Sequence, residues 1–517
     1  MYHRRPSRRL LTRLLLPLMA SVPLASALPV GAAGLADWPK FHYDLANSGF
    51  NPQETAIGAG NVGTLQLAWS APNFVAGSAP VVAGGLVIGP CYQPAICAVD
   101  ATTGQQRWVQ PVGHVDIPSD VAVSGSVVYA GGASPATMYA LNAQTGAVLW
   151  TWPSPPPGYD PYAPRHEFAA PTVYNGNVYA ESDDGSLYAF DANTGSLRWT
   201  RAVATGGATP AVSNGVLYLE GDPQGPMQGE LQAVSAQTGQ VLWRSQSQWG
   251  DGFASPSLNG ALVYSGSRNT PASGHPNFWA YRSGGCGTPS CPPVWSAAGG
   301  SYARSSPAVA NGVVYEGFGD GKLYAFDASN GHLRWRGLTL DSKSTNPIGM
   351  WSSPAVANGV VFVAGGDGIF YAFNAAGCGQ AACQPLWRST TGHQYQFGSS
   401  PAVANGTVYV TGAVGAPGSP SYGSRLDAFR TATSMGLAGS RAIPPPIPQS
   451  GARTQVPRIV QAPEQSGPAA ANNSATVAPT GAASRSHQVA GVSSLVSSFV
   501  SWAEQLAHLL ASLFRPS

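Results

Sequence analysis

One unit recurs through this chain and leaves few folds open to it. Ala98-Val99-Asp100-Ala101-Thr102-Thr103-Gly104-Gln105-Gln106-Arg107-Trp108 returns as Ala189-Phe190-Asp191-Ala192-Asn193-Thr194-Gly195-Ser196-Leu197-Arg198-Trp199. Variants occupy 140–150, 233–243 and 325–335, and two further copies, 280–295 and 372–387, keep the flanking residues around a longer loop that carries cysteines. The closing tryptophans, Trp69, Trp108, Trp150, Trp199, Trp243, Trp295, Trp335 and Trp387, are 39 to 52 residues apart. That period suits a propeller blade of four short strands.

Within a unit such as 353–363, a short apolar strand meets Asn358-Gly359 and then a β-branched strand. Asn-Gly is the preferred two-residue hairpin turn because both positions need positive φ. It recurs at 175, 214, 259, 311 and 405, and Asp-Gly marks the next turn at 184, 320 and 367. Leu65 to Trp69 reads as a fourth strand with no preceding three, whereas 401–430 supplies three strands with no tryptophan after them. The expected fold is therefore all-β, an eight-bladed propeller of four-stranded antiparallel blades, closed by pairing of the N-terminal strand 65–69 with the last blade. A closure contact spanning more than 300 residues predicts slow folding.

The flanks read differently. Five of the 26 basic residues, Arg4, Arg5, Arg8, Arg9 and Arg13, precede an apolar run and small residues, so 1–33 is expected to be a secretory signal, of ordinary or twin-arginine type. No cysteine lies near its cleavage site, so a lipid anchor is not expected. Residues 34–64 form a lead-in and 65–430 the propeller. The stretch 431–490, rich in Pro, Ala and Ser, reads as a disordered linker, and 491–514 as an amphipathic helix able to contact a membrane peripherally or to fold back. Without the signal, 21 basic face 24 acidic residues and no basic stripe remains, which excludes nucleic acid as a partner. A monomer is expected.

The six cysteines form three local pairs, Cys91 with Cys97, Cys286 with Cys291 and Cys378 with Cys383. An even count at short spacing in an exported chain predicts disulfides, and the last two would staple the turns that elsewhere carry Thr-Gly. Zinc is not expected, because the pairs fall in different blades with no histidine cluster.

The A-x-D-x-x-T-G-x-x-x-W unit resembles the pyrroloquinoline-quinone (PQQ) type propeller repeat, and 38–50, beginning Trp38-Pro39-Lys40-Phe41-His42-Tyr43-Asp44, looks like the lead-in common before such propellers. The resemblance implies that the eight tryptophans dock between blades while the turn residues pack on the neighbouring blade. Loops joining consecutive blades would converge at one mouth of the channel, which selects Arg165, His166, Trp249, Tyr302, Trp351, His393 and Tyr395 as ligand-binding candidates. Similarity to the PQQ enzymes implies a Ca²⁺-dependent alcohol or sugar dehydrogenase, with Glu167 and Asp251 as metal ligand and base and Arg304 near the quinone oxygens. The chain departs from those enzymes: it has no adjacent cysteine pair, no C-x-x-C-H and no long blade insertions. The favoured reading is a non-catalytic binding or scaffold module, periplasmic or extracellular, whose partner is an envelope or extracellular protein or glycan surface.

Overall fold

The structure is a computed structural model that describes residues 36–92, 94–112, 120–132, 137–152, 167–182, 184–203, 207–221, 229–245, 254–267, 276–303, 305–343, 347–395, 398–414 and 423–436. Contacts divide the chain into Met1–Pro444 and Pro445–Ser517, and every described residue belongs to the first unit. The signal, nearly all of the linker and the amphipathic helix thus lie outside the described residues.

Eight small sheets surround a channel. Blades 1 to 7 span 81–111, 121–152, 172–202, 211–245, 257–297, 308–337 and 355–388, and each runs from an innermost first strand to an outermost fourth. Blade 8 takes three strands from 402–431 and its fourth, Leu65–Pro72, from the other end of the chain. The expected closure is therefore present, with Leu65 opposite Thr431 and Trp69 opposite Ala428. The last strand runs through Thr431 into a short helix, Ala432–Gly436, past the expected boundary at 430.

The repeat has a local cause. Asp191 Oδ1 accepts the amides of Asn193 and Thr194, closing the turn that brings the fourth strand back; Asp100 does the same for Thr102 and Thr103. The glycine that follows lies under a tryptophan of the preceding blade: a Cβ on Gly195 would sit 2.5 Å from the Trp150 ring, at a backbone φ of +72°. Trp150 Nε1 then donates to Ala192 O, and the same bond recurs from Trp108 to Ala143 O and from Trp295 to Ala328 O. The rings of Trp69, Trp108, Trp150, Trp199, Trp243, Trp295 and Trp335 each lie against the turn glycine of the neighbouring blade in this way.

A second donor was not anticipated. Tyr129, on the second strand of blade 2, also donates to Ala192 O, so one carbonyl binds blade 2 to blade 3 twice. Tyr179, Tyr218, Tyr264 and Tyr315 repeat the arrangement beside Trp199, Trp243, Trp295 and Trp335. At the seam the pattern changes. Ala101 O is taken by Tyr409 and Arg430, and Trp69 Nε1 is buried with no acceptor among the described residues.

The lead-in occupies the channel. Its backbone bonds an inner residue of the first strand in six blades: Trp38 with Val82, Pro39 with Val123, Leu45 with Val212, Ala46 with Leu258, Ser48 with Val309 and Gly49 with Val356. Phe50–Asn51 pairs parallel with Ala355–Ala357, and Asn51 Nδ2 reaches Val403 O in blade 8. Asn47 Nδ2 donates to Thr209 O and Pro256 O. Lys40 is wholly buried, its ammonium held by Phe41 O, Asp44 O and Asn47 Oδ1, and desolvation pulls its pKa down to about 7.

Three blades hold five strands rather than the expected four. Blade 7 gains Phe50–Asn51 on its inner edge. Blades 4 and 6 gain a strand on the outer edge, where Ser290–Cys291 pairs parallel with Val241–Ser245 and Ala382–Cys383 pairs parallel with Leu333–Gly337. All three expected disulfides are formed. The two that replace Thr-Gly turns do more than staple: each longer loop reaches back over the edge of the preceding blade.

Candidate functional site

Because every blade is an up-and-down meander, the loops between blades share a face with the Asp-Gly turns, while the Asn-Gly and Thr-Gly turns share the opposite face. The lead-in lies against the second face, where Asn358 Nδ2 bonds Thr55 O and Ala36 N bonds Asn405 Oδ1. Recesses of about 420 and about 320 Å³ flank it there, both lined by Tyr43 and Asp44. The mouth that remains belongs to the inter-blade loops.

A chain of hydroxyls rings its floor. At four consecutive junctions the residue before a first-strand proline donates its amide to the equivalent hydroxyl of the next blade: Thr209 to Ser255, Ser255 to Ser306, Ser306 to Ser353 and Ser353 to Ser400, at 2.8 to 3.1 Å. Between blades 1 and 2 a carboxylate takes over, and Asp120 Oδ1 accepts Ala79 N at 2.9 Å. Desolvation pushes Asp120 up to about 7.

Three glutamates lie fully inside second strands, Glu181 in blade 3, Glu220 in blade 4 and Glu316 in blade 6. Glu181 accepts Ala208 N, and Glu316 accepts Ser305 Oγ at 2.7 Å. Burial, with the Glu220 charge adding to it, raises the Glu316 pKa well above its ordinary value, against the hydrogen bond from Ser305 that lowers it.

The sequence candidates separate. Arg165, His166, Trp249, Asp251 and Arg304 lie outside the described residues, and Glu167 is exposed beside the Phe168–Ser182 bridge. The half-buried Tyr302 ring covers Gly319, and its hydroxyl donates to Ile348 O at 3.2 Å. Trp351 and Tyr395 line one tight crevice with Gly349 and Gly398. His393 and Tyr395 meet on a residue that sequence reasoning missed: Asp427 Oδ2 accepts His393 Nδ1 at 2.5 Å and the Tyr395 hydroxyl at 2.8 Å, while Ser70 Oγ donates to Oδ1. Burial and this carboxylate raise the Tyr395 pKa far above the usual phenol range. Tyr395 is wholly buried, so its polar end is committed to Asp427 and Thr391. Asp427 had a signal, since equivalent third-strand positions hold Tyr188, Tyr324 and Tyr371, each donating to the aspartate of its own Asp-Gly turn.

A PQQ–Ca²⁺ centre needs six to eight convergent oxygens around the metal. Among the described residues no three His, Cys, Asp or Glu side chains converge in that way. Glu181 and Glu316 stand three blades apart and are engaged by Ala208 N and Ser305 Oγ. The described donors do not fit the group.

Fold and repeat chemistry together define an eight-bladed propeller of PQQ-type repeats. The family model described as outer membrane protein assembly factor BamB matches residues 93–277 and 227–416, more than half of the chain, and the chain belongs to that family. Tetrathionate hydrolase of Acidithiobacillus ferrooxidans is 27% identical over 32% of this chain and 36% of its own length. BamB of Yersinia pestis is 28% identical over 29% of this chain and 38% of its own length. The matches thus span well under half of these relatives. Among solved structures, a europium-containing methanol dehydrogenase superposes with a TM-score of 0.58 at 16% identity, covering 76% of this chain and 98% of that one, which is a likeness of fold alone.

Proposed function

We propose that this protein is exported and works as a non-catalytic binding or scaffold propeller, engaging extended segments of envelope or extracellular proteins along its outer rim. The carrying observation is the contrast between rims of different blades. The fourth strands of blades 1 to 3, Gln106–Pro111, Val148–Trp152 and Leu197–Ala202, end their sheets with no further strand among the described residues, and they expose Val109, Val148, Leu149 and Leu197. Such an edge offers a row of free amides and carbonyls flanked by apolar side chains, the chemistry of strand addition. The likeness to assembly factors supports this reading, and the likeness to dehydrogenases supports the fold beneath it.

The test uses a synthetic peptide copied from an outer-membrane β-barrel strand, together with photo-crosslinking side chains placed at Leu149, Leu197 and the capped-edge residue Leu242. Saturable crosslinking at the first two and not the third is expected. Saturable PQQ binding with Ca²⁺, followed by dye reduction with alcohols or sugars, would replace the proposal with a dehydrogenase.

A further inference from the structure

The two outer-edge strands added by the cysteine loops are short and bound by few contacts. Over blade 4, Arg244 N donates to Pro289 O at 2.8 Å, and the pairs are Arg244 with Ser290 and Ser245 with Cys291. Over blade 6, Arg336 N donates to Ala381 O at 3.0 Å and Leu338 N to Cys383 O at 2.9 Å. A two-residue strand has little hold of its own. What fixes each loop is its bridge, Cys286–Cys291 or Cys378–Cys383.

The three disulfides differ in access. Cys286 and Cys378 are exposed, while their partners Cys291 and Cys383 are buried under the loop. Cys91 and Cys97 are both buried, on the second and third strands of blade 1, and neither lies in a loop that covers a fourth strand from outside; Cys97 pairs with Val109 within its own sheet. A thiol reductant therefore reaches the two cap bridges and not the third.

Beneath the caps lie edges of the same kind as those left open elsewhere. Leu242 and Leu333 are exposed on the capped strands as Leu149 and Leu197 are on the open ones. One molecule thus holds latent edges on blades 4 and 6 and open edges on blades 1 to 3. A latent edge of one copy fits an open edge of another, a pairing of unlike surfaces that need not close on itself.

We propose that the two C-x4-C loops are redox-held edge caps, and that opening them turns blades 4 and 6 into docking strands for a second copy of this chain. Dithiothreitol supplies two electrons and two protons per bridge: the Cys286–Cys291 S–S bond breaks to two thiols, and the reductant closes to its cyclic disulfide. This inference shares with the proposed function the open edges of blades 1 to 3, but it is read by self-association without any foreign partner, so either can fail while the other holds.

Full-length protein is followed by light scattering on a sizing column and by amide exchange, with and without dithiothreitol. Reduction is expected to open two of the three bridges, to accelerate exchange of the Arg244, Arg336 and Leu338 amides at least tenfold, and to shift the monomer to concentration-dependent oligomers. Cys286→Ser with Cys291→Ser, and Cys378→Ser with Cys383→Ser, should associate without reductant. Leu242→Lys with Leu333→Lys should keep reduced protein monomeric, because a lysine on an edge blocks pairing. A monomer at every concentration despite faster exchange would overturn the proposal, as would association that the lysine pair leaves unchanged. Association on replacing only Cys91 and Cys97 would overturn it too. If the serine variants fail to fold, the reduced wild type and its lysine variant still decide the matter.

Discussion

The inner and outer rims of this propeller face one problem, the unpaired edge of a sheet, and handle it in opposite ways. Around the channel one continuous segment, 38–51, serves seven of the eight first strands. Around the outside, among the described residues, two fourth strands receive a partner, each from a local loop tied by a disulfide. The inner cover is a single long-range commitment that buries polar side chains and ties Lys40 and Asn47 into several hydrogen bonds each. The outer covers are independent and separable. The difference teaches that edge protection at the hub is part of the fold's stability, whereas at the rim it is a setting that varies from blade to blade.

The largest effect is expected from removing the hub segment. Deletion of 36–51 leaves six first-strand amides without partners, and loss of cooperative melting is the expected outcome; a melting curve unchanged by the deletion would break the comparison. Asn47→Ala is the point version. It strips Thr209 O and Pro256 O of a donor and Lys40 of an acceptor, for a cost of about 3 kcal/mol in chemical denaturation.

Acid should also act at the hub. His42 is buried, its Nδ1 donates to Asn47 O, and Nε2 has no partner among the described residues. Desolvation lowers its pKa from 6.5 to about 3. A base whose folded pKa is depressed contributes stability that is complete above 6.5 and is lost as pH falls toward 3. His42→Gln should flatten that part of the pH–stability profile, and a parallel profile would show that the buried imidazole carries no such penalty.

Rim changes should be smaller. Opening one cap bridge with paired serine substitutions is expected to cost about 2 kcal/mol by loop closure, and the loss at blade 4 should not depend on the loss at blade 6. Smallest of all, Leu149→Lys with Leu197→Lys should shift stability by no more than about 0.5 kcal/mol while abolishing capture of the strand peptide.

Much of the fold was legible because its information is local. An Asp-x-x-Thr-Gly turn closes through its own aspartate, and Asn-Gly takes positive φ at both residues at 175, 214, 311, 358 and 405, so these marks survive without tertiary context. The seam followed from a fourth strand that lacked the other three. The site was far less legible. His393 and Tyr395 were singled out, but Asp427, which joins them, lies 32 residues beyond Tyr395 on another strand. Glu181, Glu220 and Glu316 were passed over because a lone acid in an apolar strand does not reveal whether it faces solvent or a neighbouring blade. Four of the tyrosines that double the tryptophan bonds, Tyr179, Tyr218, Tyr264 and Tyr315, follow an Asn-Gly turn in the sequence, yet their acceptors sit one blade away.

By itself the sequence determined the blade, the number of blades, the closing strand and the cysteine pairing, since each depends on residues close in the chain or on arithmetic along it. Tertiary structure alone decided where the lead-in goes and which rims are covered. Those outcomes depend on the geometry of a closed ring, in which a segment from the N-terminal side meets seven blades at once and a loop lengthened by a few residues reaches an edge that a Thr-Gly turn does not.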